Sequence, residues 1–304
     1  MIKIPPYLKN GDTVGFVCPS GFMSFEKVIE SINVFQEWGY KVKIGTTIGG
    51  NSKNYFSGTD EKRFFDLQKM LDDDSVKAIF FARGGYGLSR IIDKLDFTKF
   101  QEVPKWVIGF SDITILHSHI LSKYKIATLH APMAAAFSNG QHENEFVLSL
   151  RKALRGDEIN YKTAAHDFNK KGEVVGELVG GNLALLTHLL GTPSDFDTKG
   201  KILFLEDVGE YLYNIDRMLL QLKRSNKLKD LAALIIGGFT DCKDTERPFG
   251  KTVYEIINDV VKEYDYPVCF DFSVSHTTKN YALKIGVKYK LKVEESVSFV
   301  EIRS

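Results

Sequence analysis

Four short stretches of this 304-residue chain pair residues capable of chemistry with the punctuation that would expose them. The first is Val107-Ile108-Gly109-Phe110-Ser111-Asp112-Ile113, an apolar run ending in Gly-Phe-Ser-Asp with a helical pattern directly after it. A tight strand-to-helix turn can hold a serine hydroxyl out at the carboxyl edge of a sheet as a nucleophile. The Asp112 amide, at the helix start, can then stabilise an oxyanion. The second glycine of G-x-S-x-G is missing, and Ser-Asp is a common N-cap pair, so this stretch alone favours a cap. The second stretch is Arg83-Gly84-Gly85-Tyr86-Gly87, also after an apolar run. Glycines there let backbone N–H groups approach a phosphate or an oxyanion. The P-loop lysine and the G-x-G-x-x-G spacing are absent, and a plain glycine-rich turn is the third reading. The third is Glu206-Asp207 at the end of an apolar strand, where a carboxylate can orient a histidine. A pair of solvated loop acids is the plainer alternative. The fourth is Ser275-His276-Thr277-Thr278-Lys279-Asn280, which places His276 in the semi-exposed polar loop that a general base needs.

The other six histidines fit less well. His188 lies on an apolar helical pattern and reads as a core residue. His117 and His119 are two apart on a helix, so they point to different faces and make a poor metal pair. No HExxH or carboxylate–histidine cluster suggests zinc, so no metal is expected. Each stretch is weak alone. Their order, a serine, then an acid, then a histidine, gives a candidate triad of the Ser…Glu…His kind.

Elements able to position these residues can be read from periodicity. Strands are expected at 13–18, 41–44, 78–82 and 106–110. Helices alternate with them at 25–38, 60–71, 89–95 and 112–121. This alternation predicts a doubly wound, mostly parallel α/β sheet over residues 1–156. Residues 157–172 (DEINYKTAAHDFNKKG) are polar and read as a linker or long loop. Residues 173–304 carry more strands (174–178, 201–205, 233–236, 287–293, 298–302), with helices near 183–190, 215–223 and 252–264. That pattern reads as a smaller, mixed α/β domain.

Composition bounds the rest. The chain is 43% hydrophobic and 26% charged, with a net charge of +1. No basic excess points to nucleic acid or an anionic membrane. No apolar run is long enough to span a bilayer, and the N-terminus lacks the apolar stretch of a signal peptide. Three cysteines without a CxxC fit a reducing compartment, so a cytoplasmic location is expected.

At these residues the sequence resembles the LD-carboxypeptidase family, serine peptidases that include the microcin C self-immunity proteins. The matching pieces span almost the whole chain. They are GFVCPS (15–20), Ser57-Gly58-Thr59-Asp60 with Arg63, ARGGYG (82–87), GFSDIT (109–114) and His130-Ala131-Pro132-Met133. Gly180-Gly181-Asn182-Leu183, FLEDVGE (204–210) with Asp216-Arg217, and His276 with Asn280 complete the set. The resemblance implies a triad of Ser111, Glu206 and His276, with the backbone amides of Gly85 and Asp112 as oxyanion donors. It implies a flavodoxin-like or Rossmann-like N-terminal domain bearing the serine, and a swivelling C-terminal α/β domain bearing acid and base. It also implies metal-free catalysis without a cofactor, and dimers. The substrate it implies is a murein tetrapeptide, cut between an L-centred diamino acid and the terminal D-alanine. A carboxypeptidase must hold a free carboxylate, for which Lys279, Arg83 and Arg217 are candidate cations. Asn182 is a candidate for a substrate amide or carboxylate. For Arg217 the alternative is a helix-surface pair with Asp216 or Glu210. The sequence departs from the family pattern at Ser275 and Asp271, where glycine is frequent. It departs again at Leu283-Lys284-Ile285-Gly286, where Leu-Pro-x-Gly is.

Two rivals remain. A microcin C immunity-type hydrolase would use the same triad, but it tends to carry a tryptophan before the Gly-Gly-Asn segment. Residues 157–179 hold none. A non-catalytic two-domain binding protein would use Arg83–Gly87 on a phosphate or sugar and Ser111 as a cap.

Overall fold

The computed structural model describes every residue except Met1, Asn51, Asn139 and Ser304. The chain forms two compact units, Met1–Glu158 with Tyr281–Lys284, and Ile159–Asn280 with Ile285–Ser304. The first carries β1 (Thr13–Val17), α1 (Ile29–Glu37), β2 (Lys41–Ile44), α2 (Asp60–Asp72) and β3 (Val76–Phe81). It continues with α3 (Thr98–Glu102), β4 (Trp106–Gly109), α4 (Thr114–Tyr124), β5 (Thr128–His130) and α5 (Glu145–Arg155). The second carries β6 (Asn160–Ala164), β7 (Gly172–Asn182), α6 (Leu183–His188), β8 (Ile202–Val208) and α7 (Leu212–Arg224). It continues with β9 (Ala233–Thr240), α8 (Val253–Val261) and β10 (Val268–Cys269). The chain then gives β11 (Leu283–Ile285) to the first sheet and ends in the second with β12 (Lys288–Val293) and β13 (Ser296–Glu301).

The first sheet runs β11-β5-β4-β3-β1-β2. Every neighbouring pair from β5 to β2 is parallel. The order 2-1-3-4-5 is the flavodoxin-like winding, in which ligands gather at the carboxyl ends of the strands near the β1/β3 switch point. Helices cover both faces. Phe16 packs on Phe35 of α1, whereas a Cβ on its neighbour Gly15 would sit 2.8 Å from Met70 Sδ of α2. Successive strand residues face opposite sides, so α1 and α2 do too. On the α1 side, Phe16, Phe35, Trp38, Phe80 and Phe137 interlock with ring centroids 4.7 to 6.0 Å apart. This aromatic core joins β1 to β3, the strand that leads into the glycine loop.

The second sheet runs β10-β9-β8-β7-β12-β13-β6. It is parallel from β10 to β7 and antiparallel from β7 to β6. β7 serves both halves. Its residues 172–177 pair with β12, and 178–182 pair with β8. The parallel half therefore brings Asn182, Glu206 and Asp207 to one edge.

Several expectations need correction. The helix expected at 89–95 is two 3₁₀ turns, Leu88–Arg90 and Ile92–Lys94. The spacing of Leu88, Ile91, Ile92 and Leu95 is helical and all four are buried, but Ile91 at φ −123° breaks the run. So short a segment does not repay α-helix nucleation. The stretch 157–172 is not all loop, because β6 lies within it and pairs with β13. β6 is an edge strand that buries chiefly Tyr161, so its polar sequence hides it. His188 is exposed rather than a core residue. It follows Leu186, which takes the buried position on α6.

Candidate active site

β4 ends at Gly109, Phe110 is extended, and Ser111 takes φ +62°. A left-handed serine costs on the order of 1–3 kcal/mol and persists only where its surroundings enforce it. The turn passes as a 3₁₀ turn, Ser111–Ile113, into α4. His117, on the first turns of α4, donates its Nε2–H to the Gly109 carbonyl at 2.8 Å and ties the helix to the end of β4. Burial lowers the His117 pKa to about 4, so the ring is neutral and acts as a structural donor. The N-cap positions of the 3₁₀ turn and of α4 fall on Phe110 and Ile113 rather than on Ser111, and neither makes a side-chain cap bond.

The glycine loop after β3 lies against this turn. A Cβ on Gly84 would come 2.8 Å from Ser111 Cβ, 3.0 Å from its Oγ and 3.3 Å from the Asp112 nitrogen. Only glycine fits there. Gly85 follows at φ +98°, and Gly21 N–H donates to the Gly84 carbonyl at 3.0 Å. The sequence offered Asp112 for its amide alone. Its fully buried carboxylate also accepts hydrogen bonds from Ser20 Oγ and, at 2.9 Å, from Leu88 N–H. Arg63, equally buried, donates to the carbonyls of Pro19 and Gly87 and to Asp60, with its guanidinium 4.8 Å from the Phe56 ring centroid. Both residues stood in the motifs read from the sequence, but nothing in spacing revealed these partners.

In the second unit, His276 Nδ1 and Glu206 Oε2 are 2.6 Å apart. Glu206 is completely buried, and the His276 side chain is 15% exposed. With Nδ1–H as the donor, the neutral ring keeps its lone pair on Nε2. Burial works against a charged His276. The Glu206 hydrogen bond and the charges of Glu206 and Asp207 outweigh it and hold the pKa above its ordinary 6.5. Glu206 and Asp207 are both buried on β8, so the solvated-pair alternative is excluded. Adjacent strand residues face opposite ways, and only Glu206 meets the histidine. Asp207 turns to Asn182 Nδ2 (2.8 Å), Ala184 N (2.9 Å) and Val208 N (2.8 Å). Burial, then the charge of Glu206, pushes Asp207 up to about 7.

Two glycines at the end of β9 let the histidine loop lie close. A Cβ on Gly237 would meet the Val274 carbonyl at 2.3 Å, and one on Gly238 would meet Ser275 Cβ at 2.6 Å. Ser275, standing where glycine is frequent, is buried and stitches the loop. Its Oγ donates to the Lys279 carbonyl at 2.9 Å and accepts from Thr277 N–H at 3.1 Å. Asp271 has φ +56°, which is why glycine suits that position, and its carboxylate accepts from Tyr254 Oη at 3.1 Å. Lys284, where proline is frequent, is buried in the first unit with its Nζ 3.2 Å from Tyr7 Oη.

The other candidates sit as follows. Asn182 is buried, caps α6 by accepting from Leu185 N–H at 3.1 Å, and donates to Asp207. Arg83 is exposed and donates to the Phe22 carbonyl. Lys279 is exposed on the histidine loop and lines a cavity of about 600 Å³ with Asp271, Tyr254 and Thr277. Arg217 is exposed on α7, its guanidinium 5.3 Å from the Tyr213 ring centroid. Among the described residues no group of three or more His, Cys, Asp or Glu could hold a metal ion. Among them no helix is long and apolar enough to cross a membrane.

Comparison with known proteins covers both units. Residues 14–131 match the family model of the LD-carboxypeptidase N-terminal domain, and 175–291 that of the LD-carboxypeptidase C-terminal domain. A Bacillus subtilis protein named "Probable murein peptide carboxypeptidase" is 34% identical over 300 residues, 98% of this chain and 94% of its own. The microcin C7 self-immunity protein of Escherichia coli is 26% identical over 334 residues, 97% of this chain and 94% of its own. The crystal structure of muramoyltetrapeptide carboxypeptidase from Oxalobacter formigenes superposes with a TM-score of 0.87 at 27% identity. It covers 96% of this chain and 99% of that one.

Proposed function

Since the chain belongs to the LD-carboxypeptidase family, we propose that it is a serine carboxypeptidase acting on murein tetrapeptides, with Ser111, Glu206 and His276 as its triad. The observation that carries this reading is the hydrogen bond between His276 Nδ1 and the buried Glu206, at 2.6 Å. It leaves the imidazole in the tautomer that can accept a proton at Nε2. In the reaction, His276 takes the proton from Ser111 as Oγ bonds to the scissile carbonyl carbon. The oxyanion is held by the N–H groups of Gly85 and Asp112. The C–N bond then breaks and His276 protonates the departing amine of D-alanine. Water, activated by the same histidine, hydrolyses the acyl-enzyme and frees Ser111. The bond cut joins an L-centred diamino acid to terminal D-alanine, and the product suits cytoplasmic recycling of the cell wall.

Similarity to a self-immunity protein leaves an aminoacyl-nucleotide substrate as the second reading. The absence of tryptophan from residues 157–179 favours the murein peptide. The test is release of D-alanine from a purified tetrapeptide, followed by mass, with and without EDTA. Release by the wild type that is insensitive to EDTA and lost in Ser111→Ala supports the reading. No release by the wild type overturns the substrate, and equal release by Ser111→Ala overturns the nucleophile.

A further inference from the structure

Two buried charged side chains join the same pair of loops in the first unit. Arg63 donates Nη1 to the carbonyls of Pro19 and Gly87, the latter at 3.0 Å. Asp112 accepts at Oδ2 from the Ser20 hydroxyl and, at 2.9 Å, from the Leu88 amide. A cation and an anion thus each link residues 19–20, beyond β1, to residues 87–88, at the far end of the glycine loop. Gly84, at the near end of that loop, is pinned to Gly21 and lies against Ser111. Gly87 has φ +140°, and a Cβ on it would come 2.8 Å from Arg63 Nη1 and 3.0 Å from the Phe56 ring, so the loop can close here only as glycine.

We propose that Arg63 and Asp112 form a clamp that positions the Gly84–Gly85 amides against Ser111, and that both are positioning residues for the oxyanion hole. This rests on the reading of Ser111 as the nucleophile. The physical case is one of geometry. A backbone amide stabilises an oxyanion only when it points at the right spot, and a displacement of about 1 Å can cost about 10²-fold in rate. The glycine loop has the freedom to miss that spot. The clamp removes this freedom by holding the far end of the loop, from a buried site where charge-assisted hydrogen bonds are strong and short, and by fixing residues 19–20 beside Gly21, whose N–H holds the near end at Gly84. It also accounts for residues that otherwise have no part in the chemistry: Ser20, the Thr59 cap of α2 that presents Arg63, and Asp60, which balances the arginine charge. Asp112 gains a double use, its amide for the oxyanion and its carboxylate for the loop opposite.

The test uses the full-length protein with Asp112→Asn and Ser20→Ala. Both keep every backbone amide, and Ser20→Ala changes no charge. The readouts are the rate at which a fluorophosphonate labels Ser111, the melting temperature, and kcat and KM for D-alanine release. The expected result is labelling slowed about 10- to 100-fold in Asp112→Asn and less in Ser20→Ala. kcat should fall in parallel at unchanged KM, in protein that remains folded at the assay temperature. Wild-type labelling rates in both folded variants, with only the melting temperature lowered, would make the clamp merely structural and overturn the proposal. Failure of the wild type to label would instead overturn Ser111 as nucleophile.

Discussion

His276 is set by its partners to ionise above the ordinary 6.5 of a histidine. Burial alone would lower its pKa, while the Glu206 hydrogen bond and the two carboxylate charges raise it past 6.5. A general base must be neutral, so activity is expected to rise with pH and to reach half-maximum above 6.5. In Glu206→Gln the charge is gone, so the inflection should move to lower pH while kcat falls about 10²- to 10⁴-fold. An unshifted inflection in a kcat–pH profile would contradict the assigned acid. Linkage gives a second sign. A histidine with a raised folded pKa adds stability that is complete below the unfolded value and lost as pH rises through the folded one. The gap in Tm between wild type and Glu206→Gln should therefore narrow as pH rises from below 6.5 through the raised pKa of His276, which thermal melts will read.

Three elements stop where the candidate residues stand. β4 ends in a left-handed serine, the loop after β3 offers a glycine with no room for a Cβ, and the end of β9 carries two more glycines under the histidine loop. Gly84→Ala would place its methyl 2.8 Å from Ser111 Cβ, and it is expected to cost more than about 10²-fold in kcat for a modest loss of Tm. Asn182→Ala removes the cap of α6 and a donor to Asp207. A destabilisation of about 1–2 kcal/mol in urea melts is expected.

Much of this layout was legible in the sequence. β1, β3 and β4 of the first sheet are apolar runs with clear stops, and the glycine-rich ends announce themselves, whereas the three-residue β5 is not read from the sequence. α5 was also within reach, since Asn144 caps it and Gly156 closes it at φ +74°, but its signals lie beside no reactive residue. What stayed hidden depends on tertiary partners. β6 reads as polar loop because an edge strand buries few residues, and the roles of Asp112 and Arg63 are hydrogen bonds across long sequence gaps. A single chain carries no local signal for such bonds. His188 shows the converse, a residue in an apolar setting that faces water.

At the scale of the whole chain, catalysis is proposed to draw on residues from both units, the nucleophile and oxyanion donors from one and the acid and base from the other. We propose that the protein works as a homodimer, and sedimentation should give twice the 34.3 kDa mass of one chain. A single species at monomer mass would contradict that. The account's central claim is that Ser111 is the nucleophile for D-alanine release. The most direct measurement is D-alanine release from murein tetrapeptide as a function of the fraction of Ser111 labelled by a fluorophosphonate, located by peptide mass. Release should fall in proportion to labelling and vanish when Ser111 is fully modified. Undiminished release from fully labelled protein, or a label mapping to another residue, would contradict it.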